Sequence, residues 1–528
     1  MGQNRVVNFR KTSQAIAAGI VVVLFLNLLV TLWKDATLSV PVPVPHQYGE
    51  GVMVWMAREI DHGRSPYGDI LAAPSRYSCY GPLPSTLAAL VSRLIPVDDG
   101  MRYVIAGRVL NLALWMTAGF ALGLLTGRPV VAFAMACALP LAISHISFMW
   151  TFRVDSAVAA VESLILLTLV RRRPAELRWL LPALMAALAL TKPPAAADLV
   201  PLALVAFAFS RLRPLEFART IVPKLLASGV FALAVFFSLD WIQGGWMSNN
   251  ILWEQKNSGW SPGVAIGHNM GNFLLKVPVW PMLLWAAWGV ASAMSRNARY
   301  ALIGVALSLA LCSAATMKYG ADVNYYVPLL VLLAALCSMR LTSSAQTAVF
   351  LVAVHLASTP LIPWDGTPAM HRAVHDYAAS QVPTANFLVE AHSSDTVLSE
   401  DPFFSVVAGY HPLVTDVFQY NIAAHRAGKV PSDLVSLTSV MWGGSRVRDL
   451  LANWGTLGVS SAPVPAGVPY MPEAVLLRPA NSLKVSSPPY FNRNAPPLGE
   501  LWHRALAPAL VLLLAAVFWG RPYRPAGS

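Results

Sequence analysis

Long apolar runs separated by short basic clusters dominate this sequence of 528 residues. About 20 apolar residues form an α-helix that crosses the hydrocarbon core of a bilayer, where each backbone polar group must find its partner within the segment. We therefore predict a polytopic α-helical membrane protein with about 12 transmembrane helices. The predicted spans are residues 14–33, 106–126, 130–149, 156–170, 178–191, 195–210, 222–240, 275–294, 299–316, 326–339, 345–363 and 503–520.

The composition agrees with a membrane protein and argues against several other classes. Charged residues make up 12% of the chain and hydrophobic residues 56%, whereas soluble domains carry about 25% charged residues. The net charge of +12 comes from clusters near span ends, so we expect contact with membrane lipids and no nucleic-acid partner. The four cysteines form neither a disulfide framework nor a CxxC metal site. We predict no metal and no cofactor, with scattered oxygen ligands as the alternative.

The basic clusters also predict the orientation and the domain organisation. If both termini are cytoplasmic and the spans alternate, nearly every short basic cluster falls on the inner side, as the positive-inside rule requires. Two large segments, 34–105 and 364–502, and the loop 241–274 then face outward. We expect a transmembrane module, 1–363, whose first outer loop, 34–105, carries juxtamembrane helices; a small outer α/β domain, 364–502; and a last helix with a cytoplasmic tail, 503–528.

The segment 364–502 contains short β-like runs. Thr396–Ser399 and Leu413–Thr415 have strand character and flank a helical stretch, Phe403–Ala408. Val475–Leu477 is a further strand candidate. Alternation of short strands with a helix predicts a small α/β unit with long irregular loops.

Three basic residues, Arg153, Lys192 and Lys318, fall on the predicted outer side, where the positive-inside rule gives no reason for a cation. Each stands at the end of a span and beside other polar residues. Snorkelling to lipid head groups is the alternative explanation for a single residue of this kind, but three together favour a shared site for a phosphate or pyrophosphate. The predicted binding residues are Arg153, Asp155, Lys192, Lys318, Asn324 and Tyr326.

The first outer loop supplies the candidate carboxylates. Apolar residues follow Glu50 at helical spacing, which predicts a short amphipathic helix that starts at Glu50 and lies along the membrane surface. A carboxylate at a helix N-terminus is favoured in its ionised form and can accept a proton, although a simple helix-terminal charge is the alternative. Asp69 is a rival carboxylate, and Asp61 is expected to face solvent. Tyr80 is a candidate to stack against a sugar, with an anchor of the loop at the membrane interface as the alternative.

Several short motifs resemble those of one enzyme superfamily. The motifs are YGEG, REIDHGRSPYGD and YGPLP in the first loop, GRVLNL at 107–112, FRVDS at 152–156, TKPP at 191–194, GADVNYY at 320–326 and the stretch 397–416. Together they resemble the GT-C integral membrane glycosyltransferases, in the group that includes protein mannosyltransferases and the lipid A aminoarabinose transferase.

The resemblance implies an inverting glycosyltransferase of the bacterial cytoplasmic membrane, with its active site on the periplasmic or outer side. Its partners would be a polyprenyl-phosphate-linked sugar donor and a lipid, glycan or protein acceptor. By position Glu50 takes the catalytic acidic role, with Asp69 as the alternative, and Tyr80 and the cation motifs take substrate-binding roles. A transporter or flippase for lipid-linked glycans, or a non-catalytic subunit of an envelope assembly complex, is the competing hypothesis.

Overall fold

The computed structural model describes nearly all residues in the ranges 49–70, 76–144, 151–257, 269–276, 298–318, 323–339 and 341–358, with short pieces elsewhere. The short pieces include 396–398, 402–407, 411–412 and 475–476, as well as scattered positions between 12 and 41. The predicted spans 14–33, 275–294 and 503–520 and most of the predicted outer domain lie wholly or largely outside the described residues.

Each predicted span that falls within the described residues overlaps a helix. Three of these helical segments, Gly100–Thr126, Pro214–Ile242 and Arg299–Thr316, are long and apolar enough to cross a membrane by length and composition. The described helices that overlap predicted spans are α3 Asp99–Gly123, α4 Pro129–Ser144, α5 Val154–Arg171, α6 Leu181–Ala189, α7 Leu199–Ala208, α8 Pro214–Ile242, α11 Ala298–Thr316, α12 Val327–Ser338 and α13 Ser344–Ser358.

These helices pack into a bundle around one apolar core. Helix α3 packs on α4 and α5, α5 also contacts α6, α7 and α12, and α7 packs on α11. Close helix contact between α3 and α4 depends on small residues: a Cβ on Gly119 would lie 2.2 Å from the carbonyl oxygen of Met135. Cys137, Cys312 and Cys337 are buried free thiols in this core, as expected from their apolar surroundings.

The first outer loop forms two helices that lie against the bundle, α1 Glu50–Asp61 and α2 Leu83–Ser92. Helix α1 starts at Glu50, as predicted, directly after Gly49 in a left-handed conformation. The helix is not the amphipathic surface helix that was predicted, because every residue from Glu50 to Glu59 is buried and no face is exposed to solvent over that stretch. Helices α2 and α3 cover it, and so does a helix from the C-terminal part of the chain, α14 Pro402–Val407.

The C-terminal part contributes a small parallel sheet beside α14. Its strands are β1 Thr396–Leu398, β2 His411–Pro412 and β3 Val475–Leu476, in the order β2-β1-β3. β1 pairs in register with both neighbours. β1, β3 and α14 overlap the predicted strands Thr396–Ser399 and Val475–Leu477 and the predicted helix Phe403–Ala408, whereas β2 lies just before the predicted strand Leu413–Thr415.

The loop after α8 reaches back to the first outer loop. It contains two further helices, α9 Trp246–Asn257 and α10 Gly271–Lys276. The hydroxyl of Ser65 donates a hydrogen bond to the side-chain oxygen of Gln243, and the amide of Asn250 donates to the carbonyl of Arg76 at 3.2 Å. The segments predicted to face outward are therefore in contact with one another.

Backbone contacts join the motifs of the first loop to those of the bundle. The N–H of Gly81 donates to the carbonyl of Thr191 at 3.0 Å, so YGPLP is paired directly to TKPP. A Cβ on Gly81 would lie 2.1 Å from the carbonyl oxygen of Leu190. At Gly107 a Cβ would lie 2.3 Å from the Phe152 ring, where GRVLNL meets FRVDS. Glycine is required at both positions by close approach.

We predict that Gly107→Ala lowers the thermal stability of the purified protein by the cost of overpacking, about 1–3 kcal/mol. Gly229→Ala is the matched control, because it is also a helix substitution but its Cβ would meet only the tip of Met185 at 3.7 Å. The control is expected to keep or raise stability, since alanine is the better helix former. Thermal unfolding in one detergent compares them, and equal melting temperatures would contradict the packing argument.

Candidate active site

Glu50 forms a buried ion pair with Arg108 of α3. Nε of Arg108 donates to Oε1 at 2.9 Å and Nη2 donates to Oε2 at 3.0 Å. Both side chains have 0% exposure. Two parallel N–H···O bonds fix the plane as well as the position of the carboxylate, so Glu50 is held in one orientation at the start of α1.

Further contacts connect this pair to distant parts of the chain. The backbone N–H of Phe152 donates to Oε1 of Glu50 at 3.1 Å. Nη1 of Arg108 donates to the carbonyl of Val40 at 3.1 Å, and its guanidinium lies 5.7 Å from the centre of the Phe403 ring of α14. The pair thus joins the chain before α1, the second predicted span, the segment before α5 and the C-terminal part.

A second polar cluster surrounds Asp155 in the first turn of α5. Nε of Arg153 donates to Oδ2 at 3.0 Å, Nζ of Lys192 donates to Oδ1 at 3.2 Å, and the amide of Asn324 donates to both oxygens at 3.1 Å. Asp155 is 2% exposed. Nζ of Lys192 also lies 4.2 Å from the centre of the Tyr325 ring, a cation–π contact.

The side chains that bind Asp155 come from residues next to helix ends. Arg153 is extended and precedes the first residue of α5. Lys192 follows the end of α6 and precedes Pro193, which opens a 3₁₀ turn. Asn324 lies in another 3₁₀ turn, Val323–Tyr326, just before α12. Each polar residue is therefore at a helix end, and the three ends meet around one carboxylate.

The two clusters are contiguous. Phe152, whose N–H binds Glu50, is the residue before Arg153, which binds Asp155. A single extended segment at the start of α5 thus carries contacts to both carboxylates. The arrangement brings an oriented carboxylate and a group of cations to consecutive residues, a combination that can serve group transfer from a phosphate.

The remaining predicted site residues have different surroundings. Lys318 is 7% exposed and follows the end of α11, while the described hydrogen bonds to Asp155 come from Arg153, Lys192 and Asn324. Tyr326 lies in the apolar core, where its ring stacks on Phe273 at 4.7 Å. Tyr80 is half-buried, and its hydroxyl would lie 3.4 Å from a Cβ on Gly49, next to the start of α1. Asp69 is exposed.

The expectation that Asp61 faces solvent is wrong. Its side chain is 8% exposed and accepts hydrogen bonds from Arg93 at 2.8 Å, Arg102 at 3.0 Å and the Tyr103 hydroxyl at 2.7 Å. Partial burial alone would raise the pKa of Asp61, but the Tyr103 hydrogen bond and the two guanidinium groups hold the pKa below its usual value. Asp61 joins α1 to α2 and α3 and is a structural residue.

The sequence analysis missed Arg108, although a signal for it was present. Arg108 is a cation within an apolar run predicted to span the membrane, and such charges are expensive unless they have a partner. The residue lies in the GRVLNL motif, one position after Gly107. Its partner was not predictable from spacing, because 58 positions separate Arg108 from Glu50.

Comparison with known proteins gives matches among solved structures only. The scan against protein-family models and the search of curated proteins found no match. Two solved structures of ArnT from Cupriavidus metallidurans are similar to this chain. The one bound to undecaprenyl phosphate has 17% identity and a TM-score of 0.46, covering 88% of this chain and 87% of that one. The apo structure has 16% identity and a TM-score of 0.46, and the match covers 86% of this chain and 84% of that one. The internal contacts of the chain, and not this likeness, carry the functional proposal.

We predict that Arg108→Met destabilises the protein by about 3–5 kcal/mol, because it leaves the Glu50 carboxylate buried without its cation. The double variant Glu50→Gln/Arg108→Met removes both charges and is expected to recover much of that loss. Arg93→Gln is the control, since that guanidinium side chain is 60% exposed and such pairs contribute about 0–1 kcal/mol. Unfolding in denaturant measures all three, and an Arg108→Met loss as small as the control's would contradict a buried pair.

Proposed function

We propose that this chain is an inverting GT-C-type glycosyltransferase that moves a sugar from a polyprenyl-phosphate donor to an acceptor. The reaction would take place on the outer face of the bacterial cytoplasmic membrane, with both termini in the cytoplasm. One observation carries the proposal: the Glu50 carboxylate and the cations around Asp155 are joined through consecutive residues, Phe152 and Arg153.

The cations around Asp155 have the charge that a phosphate site needs. Arg153 and Lys192 contribute two positive charges and Asp155 one negative charge, so these three residues leave a net charge of +1 in a nearly dry setting. Asp155 keeps the two cations close together against their mutual repulsion. An incoming phosphate of the donor would accept hydrogen bonds from Arg153 and Lys192. Lys318 is proposed as a further cation on the same side.

In the proposed reaction Glu50 acts as general base. The hydroxyl of the acceptor gives its proton to the Glu50 carboxylate as its oxygen attacks the anomeric carbon. The bond between that carbon and the phosphate oxygen breaks, the electron pair leaves with the phosphate, and attack from the opposite side inverts the anomeric configuration. Arg153 and Lys192 stabilise the charge that develops on the leaving phosphate. Asp69 is the alternative base, and Tyr80, beside the start of α1, is a candidate contact for the sugar or acceptor.

The test of Glu50 needs to separate chemistry from folding. Glu50→Gln alone leaves Arg108 without its counterion, so lost activity in that variant could come from instability. The double variant Glu50→Gln/Arg108→Met avoids the uncompensated charge. We expect it to bind donor and to lose transfer by at least 100-fold, the lower range for removal of a general base. Sugar transfer from synthetic polyprenyl-phosphate sugars in nanodiscs measures the rate.

Asp69→Asn is the matched control, because it removes an exposed carboxylate of the same loop and is expected to leave transfer within about twofold. Transfer that survives in a folded Glu50 double variant but is lost in Asp69→Asn would move the base to Asp69. Wild-type protein that transfers no sugar from any donor, yet moves lipid-linked glycans across a vesicle membrane, would favour a transporter.

A second experiment tests the phosphate site. We predict that Lys192→Gln weakens binding of undecaprenyl phosphate by about tenfold or more, the effect of one lost charge-assisted hydrogen bond. Lys192→Arg keeps the charge and is expected to lose less. Arg213→Gln removes an exposed cation that precedes α8 on the predicted cytoplasmic side and serves as control. Equal affinity in wild type, Lys192→Gln and the control would remove Lys192 from the site.

A further inference from the structure

A helix from the C-terminal part of the chain packs beside the ion pair of Glu50. Helix α14 contacts both α1 and α3, although it comes from a distant part of the sequence. Phe403 and Val406 of α14 are fully buried and lie in one apolar cluster with residues of α1 and α3. The approach is close, because a Cβ on Gly100 would lie 2.3 Å from the carbonyl oxygen of Val406. Helix α14 is therefore a fixed part of the surroundings of Glu50.

Hydrogen bonds on the other side of β2 hold the same part of the chain against the first outer loop. The hydroxyl of Thr415 donates to the carbonyl of Tyr77 at 3.0 Å and accepts from the N–H of Tyr77 at 3.0 Å. Both residues are fully buried. Because buried backbone groups need partners, this double contact specifies how the two segments meet. The described residues before and after β2 are thus both anchored to the first outer loop.

The ring of Phe403 meets the charged end of Arg108. The centre of the ring lies 5.7 Å from the guanidinium carbon, within the distance of about 6 Å over which an aromatic ring attracts a cation. The hydrogen bonds of Arg108 include those to the Glu50 carboxylate and to the carbonyl of Val40. The face of an aromatic ring carries partial negative charge and needs no N–H donor. Its attraction therefore adds to these hydrogen bonds and does not compete with them.

The contact between ring and cation has most effect in one state of the candidate site. While Glu50 is ionised, its carboxylate balances the charge of the guanidinium. In the proposed reaction Glu50 accepts a proton, and Arg108 becomes a buried cation without that balance, which is costly. The ring of Phe403 still attracts the guanidinium in this state. An aliphatic side chain would fill the same space but would supply no such attraction, so the aromatic character of position 403 is the property that matters.

We propose that Phe403 is a positioning residue of the active site: its ring holds the guanidinium of Arg108, and Arg108 in turn orients the Glu50 carboxylate. The C-terminal part of the chain thereby takes part in catalysis through α14. This inference rests on the proposed function, because the orientation of Glu50 affects a reaction only if Glu50 is the base. The contact between ring and guanidinium does not depend on that function and is tested separately.

Fluorinated phenylalanines at position 403 test the contact without any ligand. Fluorine withdraws negative charge from the face of the ring, while the shape of the ring changes little. Replacing Phe403 by its trifluoro analogue is expected to raise the unfolding equilibrium constant about fivefold more in the wild type than in the Glu50→Gln/Arg108→Met background, the effect of a cation–π contact. Unfolding in denaturant measures both series. Equal effects in the two backgrounds would mean that the ring acts by packing alone, and would overturn the proposal.

Sugar transfer in nanodiscs tests the positioning role. Phe403→Leu is expected to lower kcat about tenfold or more and to leave KM for the donor within about twofold, because misplacing a reacting group by about 1 Å costs about 100-fold in rate. The trifluoro analogue is expected to lower kcat in the same direction.

Val406→Ala is the matched control, because it truncates a buried side chain of the same helix and the same apolar cluster that offers no charge to a guanidinium. It is expected to lose stability and to keep kcat. An unchanged kcat in Phe403→Leu, or an equal loss in Val406→Ala, would overturn the positioning role. No transfer by the wild type from any donor would refute the proposed function and with it the catalytic role of Phe403, whereas the unfolding series decides the contact independently.

Discussion

The candidate active site of this protein depends on the buried pair of Glu50 and Arg108. A charge with 0% exposure is tolerated only when its partner and its remaining hydrogen bonds are in place. Meeting that condition requires the start of α1, the first half of α3 and the backbone of Phe152 to come together. The Phe403 ring of α14 then lies against the guanidinium. One electrostatic requirement thus assembles four segments that are far apart in the sequence.

Asp155 has a corresponding role for the cations. Snorkelling would leave the basic side chains at the surface, with their charged ends in water or among head groups. Instead the side chain of Arg153 is 10% exposed and that of Lys192 is 16% exposed, and both point at one carboxylate. Asp155 holds the two cations together, so the proposed phosphate site would be organised before a ligand arrives. Preorganised charge is more effective than charge that must be collected during binding.

The sequence predicted features that depend on local pattern and missed those that depend on distant partners. The helices, the start of α1 at Glu50 and the short strands near 396 and 475 follow from apolar periodicity and turn residues. The burial of α1 was missed, because α14, which covers it, lies about 350 positions further along the chain. Asp61 was assigned to solvent for the same reason, since Arg93 and Arg102 come from other helices. Because Arg153, Lys192 and Asn324 were predicted to lie on the same side of the membrane, they were expected to form one site. That all three would donate hydrogen bonds to the Asp155 carboxylate was not predicted.

The ion pair also bears on how Glu50 would work as a base. Arg108 pairs with the ionised carboxylate of Glu50, which is the form that would accept a proton in the proposed reaction. When Glu50 becomes neutral, the positive charge of Arg108 is no longer compensated. In the proposed reaction this happens as negative charge builds on the leaving phosphate, beside the segment that binds Glu50 through Phe152. An uncompensated guanidinium is costly in a buried setting, and in the proposed reaction the negative charge on the leaving phosphate would offset part of that cost.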